Sequence, residues 1–514
     1  MNPQAKKYDF ENLFTLEMAN NHQGSVPHGK KIINEMGAIA REFGIKAAVK
    51  LQFRNLNTFI HPTFRENKDN KHIARFLSTE LTESQFKELV DEVRKEGMIT
   101  MVTPFDEESV GMIDRMNIEI VKIASCSAHD WPLLEKIASL GRPIICSVGG
   151  LTIKEVDRVV SFLEHRGATF ALMHCVAIYP TPPEKLHLNQ IEVMRDRYPH
   201  ITVGFSTHEP PENTSVIGLA FAKGARIFEK HVGVPTDTIK LNAYSANPDE
   251  VRAWVKAYKQ AVDSCGHGER VVEAAEIADL RSLMRGVYAK KDIKAGMPIN
   301  RDDIFFAMPL LPNDHMRSGR FKNGFIADRD YKTNEPLGAG IEPERPTKKD
   351  IIYSTIHATK GMLNTARIPV GHDFMVEISH HYGLEKFHEI GCVIIDCINR
   401  EYAKKLIVQL PGQYHPVHYH KVKDETFQIL SGTMEVDIEG KKRMLYAGDT
   451  LWVPRGVWHG FKTDTGVIFE EISTTSLETL GDSFYLDKQI SSIPREARKT
   501  KLLNWGRHQF DNVE

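Results

Sequence analysis

Eight short apolar runs recur through the first 265 residues, and most are separated by a segment with helical spacing. They are LFTLEMA (13–19), AAVKLQ (47–52), ITMVTP (99–104), IVKIAS (120–125), PIICSV (143–148), FALMHC (170–175), TVGFST (202–207) and RIFEKHV (226–232). One intervening segment, TESQFKELVDEVRKEG, opens with Thr82 and Gln85 at capping-box spacing and stops at Gly97. Eight strands alternating with helices predict an α/β unit closed as a (β/α)₈ TIM barrel. An open doubly wound sheet is the alternative, but no glycine-rich dinucleotide fingerprint follows the first strand.

The strand ends are where this segment departs from a plain core. They carry Glu17, Asn21 and His22; Lys50 and Gln52; Thr103; Lys122 and Ser125; Ser147; His174; Ser206 and His208; Glu229 and His231. One buried lysine at a strand end reads as a satisfied rim residue. Eight polar strand ends read as a site, because such barrels build their chemistry at the C-terminal ends of the strands. Lys50 and Lys122 can neutralise phosphate or carboxylate, and Thr103, Ser125, Ser147 and Ser206 offer short hydroxyl donors. His208 and His231 end adjacent strands, so their imidazoles can share one divalent ion and leave positions open for water and substrate.

After Cys265 the rhythm changes. A β-rich module is expected over 284–346, and the basic, proline-containing join EPERPTKKD leads into a third region. From Lys405 onward, strand-like alternation with Ser-Gly, Glu-Gly and Gly-Asp turns predicts a compact antiparallel barrel. Within it the stretch HPVHYHKVKDE, His415 to Glu425, holds three histidines and two carboxylates. His418 and His420 share one face of a strand by period-two alternation, Glu425 comes from the next strand and His459 from a later one. That four-ligand set suits Zn²⁺, Fe²⁺, Mn²⁺ or Ni²⁺; a sugar-binding jelly roll without metal is the plainer reading. Lys423, Glu470 and Glu471 are acid/base candidates, although Lys423 reads somewhat more readily as a solvated surface lysine. Glu470 and Glu471 alternate, so only one can face the site.

The 514 residues imply two to four domains, 1–280, 284–346 and 347–514 on this reading. Formal net charge is −2, with 41% hydrophobic and 26% charged residues, which gives no reason to expect nucleic acid or an anionic membrane as partner. The N-terminus has no apolar leader-like stretch and no run is long enough to span a membrane. Six scattered cysteines without a CxxC pair fit a reducing, cytoplasmic setting.

The runs LEMANNHQGS, VKLQ, TPFD, VKIAS, PIICSVGG, HCVAIYPTPP, GFSTH and FEKHV, in this order, resemble the N-acetylneuraminate (sialic acid) synthase family. YAKKDIKAGMPI, within 284–346, is similar to the antifreeze-like (SAF) domain that follows the barrel there. The resemblance implies a transferase that condenses phosphoenolpyruvate with an open-chain, N-acetylmannosamine-like aldose. It implies that Lys50, Thr103, Lys122, Ser125, Ser147 and Ser206 hold phosphoenolpyruvate, and that His208 and His231 hold Mn²⁺ or Mg²⁺. Glu17, Gln52 and Tyr179 would contact the sugar, Glu229 would support metal and water, and Glu17, Lys50, Lys122 and Glu229 form the catalytic set. It further implies a domain-swapped homodimer in which the module covers the partner's barrel mouth.

Several positions depart from the family. Ser127 stands where a sugar-binding glutamate is typical, Ala177 where an asparagine is usual, and Leu241 and Asn242 near an expected aspartate. The family's RPG loop in the antifreeze-like module reads HMRSGRFKNG here, so its arginine corresponds to either Arg317 or Arg320. Acceptor positions have drifted more than catalytic ones, so an acceptor other than plain N-acetylmannosamine is expected. In the third region, Gly412, His418, His420, Glu425 and Gly432, then Gly448, Pro454, Gly456 and His459, are spaced as in the cupin family, with Thr463 in place of a final asparagine. A cupin fused to a synthase suggests isomerisation or epimerisation of the acceptor sugar, or else binding of product or nucleotide sugar to regulate the barrel. The competing whole-chain reading is a metal-dependent sugar isomerase, or a sugar-binding protein, with a non-catalytic barrel.

Overall fold

The computed structural model describes residues 8–66, 70–268, 270–312, 314–338, 347–371, 374–474 and 481–510. The end of the expected module and most of the basic join, 339–346, lie outside the described residues. The chain divides into two compact units, Met1–Val271 and Val272–Glu514. No described helix is long and apolar enough to cross a membrane.

In the first unit eight parallel strands close into a barrel in sequence order. They are β1 (Leu13–Glu17), β2 (Lys46–Phe53), β3 (Ile99–Pro104), β4 (Ile120–Ile123), β5 (Ile144–Ser147), β6 (Phe170–Cys175), β7 (Val203–Thr207) and β8 (Ile227–His231). The open-sheet alternative is thereby excluded, since β8 pairs back onto β1. Alternation along each strand separates core from chemistry. Leu13, Ala48, Met101, Ile120, Ile145, Ala171 and Ile227 belong to one apolar cluster that fills the barrel. Two residues further along the same strand faces come Lys50, Thr103, Lys122, Ser147 and Glu229. Their outward neighbours, including Val49, Val102, Val121, Cys146 and Phe228, pack into the core shared with the helices. Those helices are locally specified. Helix Glu83–Lys95 starts at the Thr82–Gln85 capping box and buries Phe86, Leu89, Val90 and Val93. Gly97 then takes φ 75°, a backbone setting that favours glycine and ends the helix.

In the second unit, strands Gly286–Ala289 and Ile304–Ala307 pair antiparallel, as do Pro298–Ile299 and Phe325–Ile326. They enclose a small core that includes Val287, Ile293, Ile299, Ile304, Tyr331 and Leu337. Helix Lys348–Thr365 follows, started by a Thr347–Asp350 capping box, and buries Ile351, Ile352, Ile356 and Leu363. These side chains pack with Val376, Ile378, Val393, Ile395, Leu406 and Val408 from a large antiparallel sheet. Strand structure therefore begins at Met375, ahead of the Lys405 expected from alternation. The physical reason is visible in strand Gly391–Asn399, where residues on both faces are buried and the alternation is lost. Strands Tyr414–His420, Glu425–Ile438, His459–Lys462 and Val467–Thr474 belong to the same sheet, and its far edge is strand Lys499–Leu502.

Candidate active site

Strand register assembles the barrel mouth. Glu17 on β1 lies beside Lys50 on β2 and His231 on β8, and Ser206 on β7 lies beside Glu229 on β8. The centre is the Glu229 carboxylate. Lys50 Nζ donates to its Oε1 at 2.9 Å, Lys122 Nζ to its Oε2 at 2.8 Å, and Ser206 Oγ to Oε1 at 2.8 Å. Lys50 also contacts Glu17. All five side chains are buried. Burial by itself would raise the pKa of Glu229, but the two lysines overcome it and hold the carboxyl well below the usual range. Burial is also the largest influence on Lys50; with Glu229 opposing and Lys122 assisting, it brings the ammonium down to about 7.

Two hydroxyls in this mouth are orphans. Thr103 Oγ1 and Ser147 Oγ are buried without a hydrogen-bond partner among the described residues. Such a group costs about 1–3 kcal/mol unless a ligand or solvent satisfies it. Ser125 Oγ accepts from the Gly149 N–H at 3.0 Å, and a Cβ at Gly149 would lie 2.9 Å from that same oxygen. Gln52 donates to Glu17 at 3.4 Å and accepts from Arg54 at 2.7 Å. Tyr179 is 53% exposed, with its ring 4.2 Å from that of His208.

His231 is the last residue of β8, whereas His208 lies just beyond β7. Their ring centroids are 5.3 Å apart. His208 Nδ1 faces the Val176 carbonyl at 3.0 Å; a carbonyl only accepts, so Nδ1 carries the proton and Nε2 keeps its lone pair. Burial lowers the pKa of His208 to about 4 and, with His208 beside it, holds His231 well below the ordinary range. Neutral imidazoles are what a metal ion requires, so the pair fits a shared ion.

Other polar strand-end residues serve the scaffold. His174 Nε2 bonds the Leu186 carbonyl at 2.8 Å, and His22 Nδ1 accepts from the Gly24 N–H. Tyr244, in the loop after β8, has no sequence signal beyond its place beside Asn242. Its ring lies 5.1 Å from His231 and 5.3 Å from Tyr179. Arg54 is held between Phe76 and Phe105, with its guanidinium carbon 4.0 and 3.8 Å from the ring centroids. Arg317 precedes and Arg320 ends the short helical turn Ser318–Arg320 of the small module.

The second unit holds a three-histidine group. Ligand atoms of His418, His420 and His459 all lie within 4.8 Å of one another. His418 pairs with His459 across neighbouring strands. Each ring has Nδ1 at a backbone carbonyl: His418 at Pro416 (3.0 Å), His420 at Asp482 (2.8 Å) and His459 at Val457 (3.0 Å). All three Nε2 atoms are therefore left as acceptors. Glu425 then sets its oxygens 3.3 Å from His420 Nε2 and 3.1 Å from His459 Nε2. Lone pairs facing one another in a buried site repel, and a cation among them removes the conflict. The donor set thus fits a metal ion, with the backbone fixing each ligating tautomer.

Lys423 is not a solvated surface lysine. It is buried and contacts both Glu425 and Glu471, and these carboxylates, against the effect of burial, raise its pKa. Glu471 is the carboxylate that faces the site, while Glu470 on the opposite strand face pairs with Lys404 at 2.8 Å.

Comparison with known proteins agrees with the barrel and with the C-terminal sheet as domains. The NeuB family profile matches residues 38–270, and that of the cupin domain matches 406–470. Over 291 residues the chain is 32% identical to an uncharacterized protein of Methanocaldococcus jannaschii, spanning 56% of this chain and 82% of that one. Over 344 residues it is 31% identical to N-acetylneuraminate-9-phosphate synthase of Drosophila melanogaster, spanning 63% and 88%. A crystal structure of spore coat polysaccharide biosynthesis protein E from Chromobacterium violaceum matches with a TM-score of 0.61 at 43% identity, covering 64% of this chain and 98% of that one. A closed parallel barrel with this polar mouth, joined to a cupin, defines the class; the chain belongs to the NeuB family.

Proposed function

We propose that the first unit is a phosphoenolpyruvate-dependent nonulosonic acid synthase acting on an N-acetylmannosamine-like aldose. The observation that carries this reading is the convergence of Lys50 and Lys122 on one buried carboxylate, beside two orphaned hydroxyls and two neutral imidazoles. Lys50 and Lys122 would exchange Glu229 for the phosphate and carboxylate of phosphoenolpyruvate, with Thr103, Ser125, Ser147 and Ser206 completing the shell. Glu17, Gln52 and Tyr179 would orient the sugar. Carbon 3 of phosphoenolpyruvate attacks the aldehyde carbon, water adds at carbon 2, and the carbon 2–oxygen bond to phosphate breaks. Glu229, freed from the lysines, would orient that water. A divalent ion such as Mn²⁺ or Mg²⁺ on His208 and His231 supplies Lewis-acid polarisation of the aldehyde when bound. Likeness of the 284–338 segment to an antifreeze-like module supports a domain-swapped homodimer as part of the same reading.

The second unit would hold its own ion on His418, His420, His459 and Glu425 and act on the sugar, by isomerisation or epimerisation. Burial of Lys423 and Glu471 beside the histidines supports chemistry there over a purely structural ion. The test is to incubate the full chain with phosphoenolpyruvate and a panel of aldoses and to follow phosphate release. Release that depends on one aldose supports the synthase. No release with any aldose, together with exchange of a sugar C2 hydrogen for solvent deuterium, would favour an isomerase on a non-catalytic barrel.

A further inference from the structure

The three-histidine group does not stand alone in its unit. It opens into a cavity of about 200 Å³ that extends toward His381, His415, Tyr485 and Arg498. His381 is 2% exposed, and neither ring nitrogen has a hydrogen-bond partner among the described residues. Nδ1 of His415 and Nε of Arg498 are likewise buried and unpartnered. The rings form a continuous wall: His381 to His415 is 4.6 Å, His415 to His418 is 4.7 Å, and His381 to Tyr485 is 5.2 Å. A regular strand would turn His415 away from the face of His418 and His420. The register shift between His415 and His418 brings it round.

The chemistry of these orphans selects a ligand. A neutral imidazole offers one donor and one acceptor, the pattern a hydroxyl group matches, and the arginine adds a donor. Burial and the nearby Arg498 keep His381 uncharged, with its pKa down to about 3. Besides the histidines, five lysine or arginine side chains and five carboxylates line the cavity, so the lining itself calls for no net charge on what enters. The volume lies below the roughly 300 Å³ at which drug-sized pockets begin, which suits a monosaccharide.

We infer that this cavity binds an uncharged monosaccharide, with His381, His415 and Arg498 reading its hydroxyls while its reactive end meets the three-histidine group. The inference rests on the sugar reading of the second unit and narrows it. On the synthase reading the site acts before condensation, because the condensation product carries a carboxylate.

The experiment is calorimetric titration of the full chain, in parallel with metal content and phosphate release. The probes are N-acetylmannosamine, N-acetylglucosamine, mannose and its monodeoxy analogues, with N-acetylneuraminate as the acidic comparison. His381→Phe keeps a flat aromatic ring, somewhat larger, and removes both nitrogens; His381→Asn keeps a donor and an acceptor. Expected is one sugar site weakened at least tenfold in His381→Phe and partly restored in His381→Asn. Metal content and phosphate release stay unchanged. One deoxy sugar should lose as much affinity for the wild type as the full sugar loses for His381→Phe, with no further loss when the two changes are combined. Equal affinity of wild type and His381→Phe for every probe overturns the inference, as does preferential binding of N-acetylneuraminate that His381→Phe weakens. So does loss of metal along with sugar, which would make His381 a support for the ion. Failure of phosphate release with sugar binding intact would sink the synthase reading and leave this one standing.

Discussion

Lys230 and Glu209 form a fully buried ion pair of 2.8 Å, and each adjoins in sequence one of the two barrel histidines, His231 and His208. Alternation along β8 sends Glu229 and His231 to the mouth and Lys230 to the opposite face, where Glu209 reaches it from beyond β7. The pair therefore ties together the two chain segments that present the imidazoles. Lys230→Met should leave Glu209 as an unpaired buried charge and lower stability by about 3–5 kcal/mol. Lys230→Met with Glu209→Met should recover most of that loss. Denaturant melts of the single and double variants give the coupling directly; additive losses would refute it.

Lys50→Met and Lys122→Met each remove one charge-assisted hydrogen bond to the proposed anion. A loss of about 1.5–3 kcal/mol per bond, or roughly 10–150-fold in kcat/KM for phosphoenolpyruvate, is expected. The aldose KM should move much less. Steady-state kinetics with each substrate varied in turn decides this, and unchanged phosphoenolpyruvate parameters in both variants would misplace the site.

His208→Ala and His231→Ala should abolish phosphate release while far-UV circular dichroism and the unfolding midpoint stay close to wild type. The barrel core is apolar and does not depend on these two side chains. Full activity after exhaustive chelation would remove the ion from the mechanism.

The second ion should be independent of the first. A fragment starting at Thr347 retains the capping box and the helix that supplies Ile351, Ile352, Ile356 and Leu363 to the core. It is expected to fold and bind about one divalent ion, by the logic of such ligand sets. A fragment starting at 370 should not fold. His418→Ala and His420→Ala in the full chain should lose this ion and still condense a ready-made acceptor. Metal analysis of the fragments and variants checks each statement.

Acid should destabilise the chain through its buried neutral histidines. The pKa of His22 is lowered from 6.5 to about 4, chiefly by burial, then by Arg75 and His28. Between those values the unfolded chain binds more protons than the folded one, so stability rises with pH across the window. The stabilisation is present above pH 6.5 and is lost as pH falls toward 4. Its size is on the order of 3 kcal/mol for a shift of this extent. His22→Gln should flatten that dependence in urea melts at pH 4.5, 5.5 and 7.5; an unchanged slope would count against it.

The barrel was legible because its strands are buried, short and regularly spaced, and because alternation puts Lys50, Lys122 and Glu229 on the same face as Ile120, Ile145 and Ile227. The histidines of the second unit were legible for the same reason, two residues apart on one strand. What escaped lies where alternation fails. His415 is redirected by a register shift, and His381 follows a strand that the sequence pattern does not mark. Lys423 looked solvated because nothing local reveals that Glu471, on a strand far along the chain, closes over it. Tyr244 and the Lys230–Glu209 pair depend on which loops meet, and spacing along one chain carries no record of that.

With Glu229 between them and Glu17 beside Lys50, Lys50 and Lys122 are already paired with carboxylates from within the fold. An incoming anion would therefore have to displace a carboxylate and not merely water, and a singly charged ion would gain little by the exchange. Only a ligand with charge enough for both ammonium groups, and with acceptors for Thr103 and Ser147, would improve on what is there. On the synthase reading, the same carboxylate would stand ready to reclaim the lysines when such a ligand breaks apart, and the mouth would oppose retention of inorganic phosphate. Selection at entry and clearance at exit would then both turn on the Glu229 carboxylate.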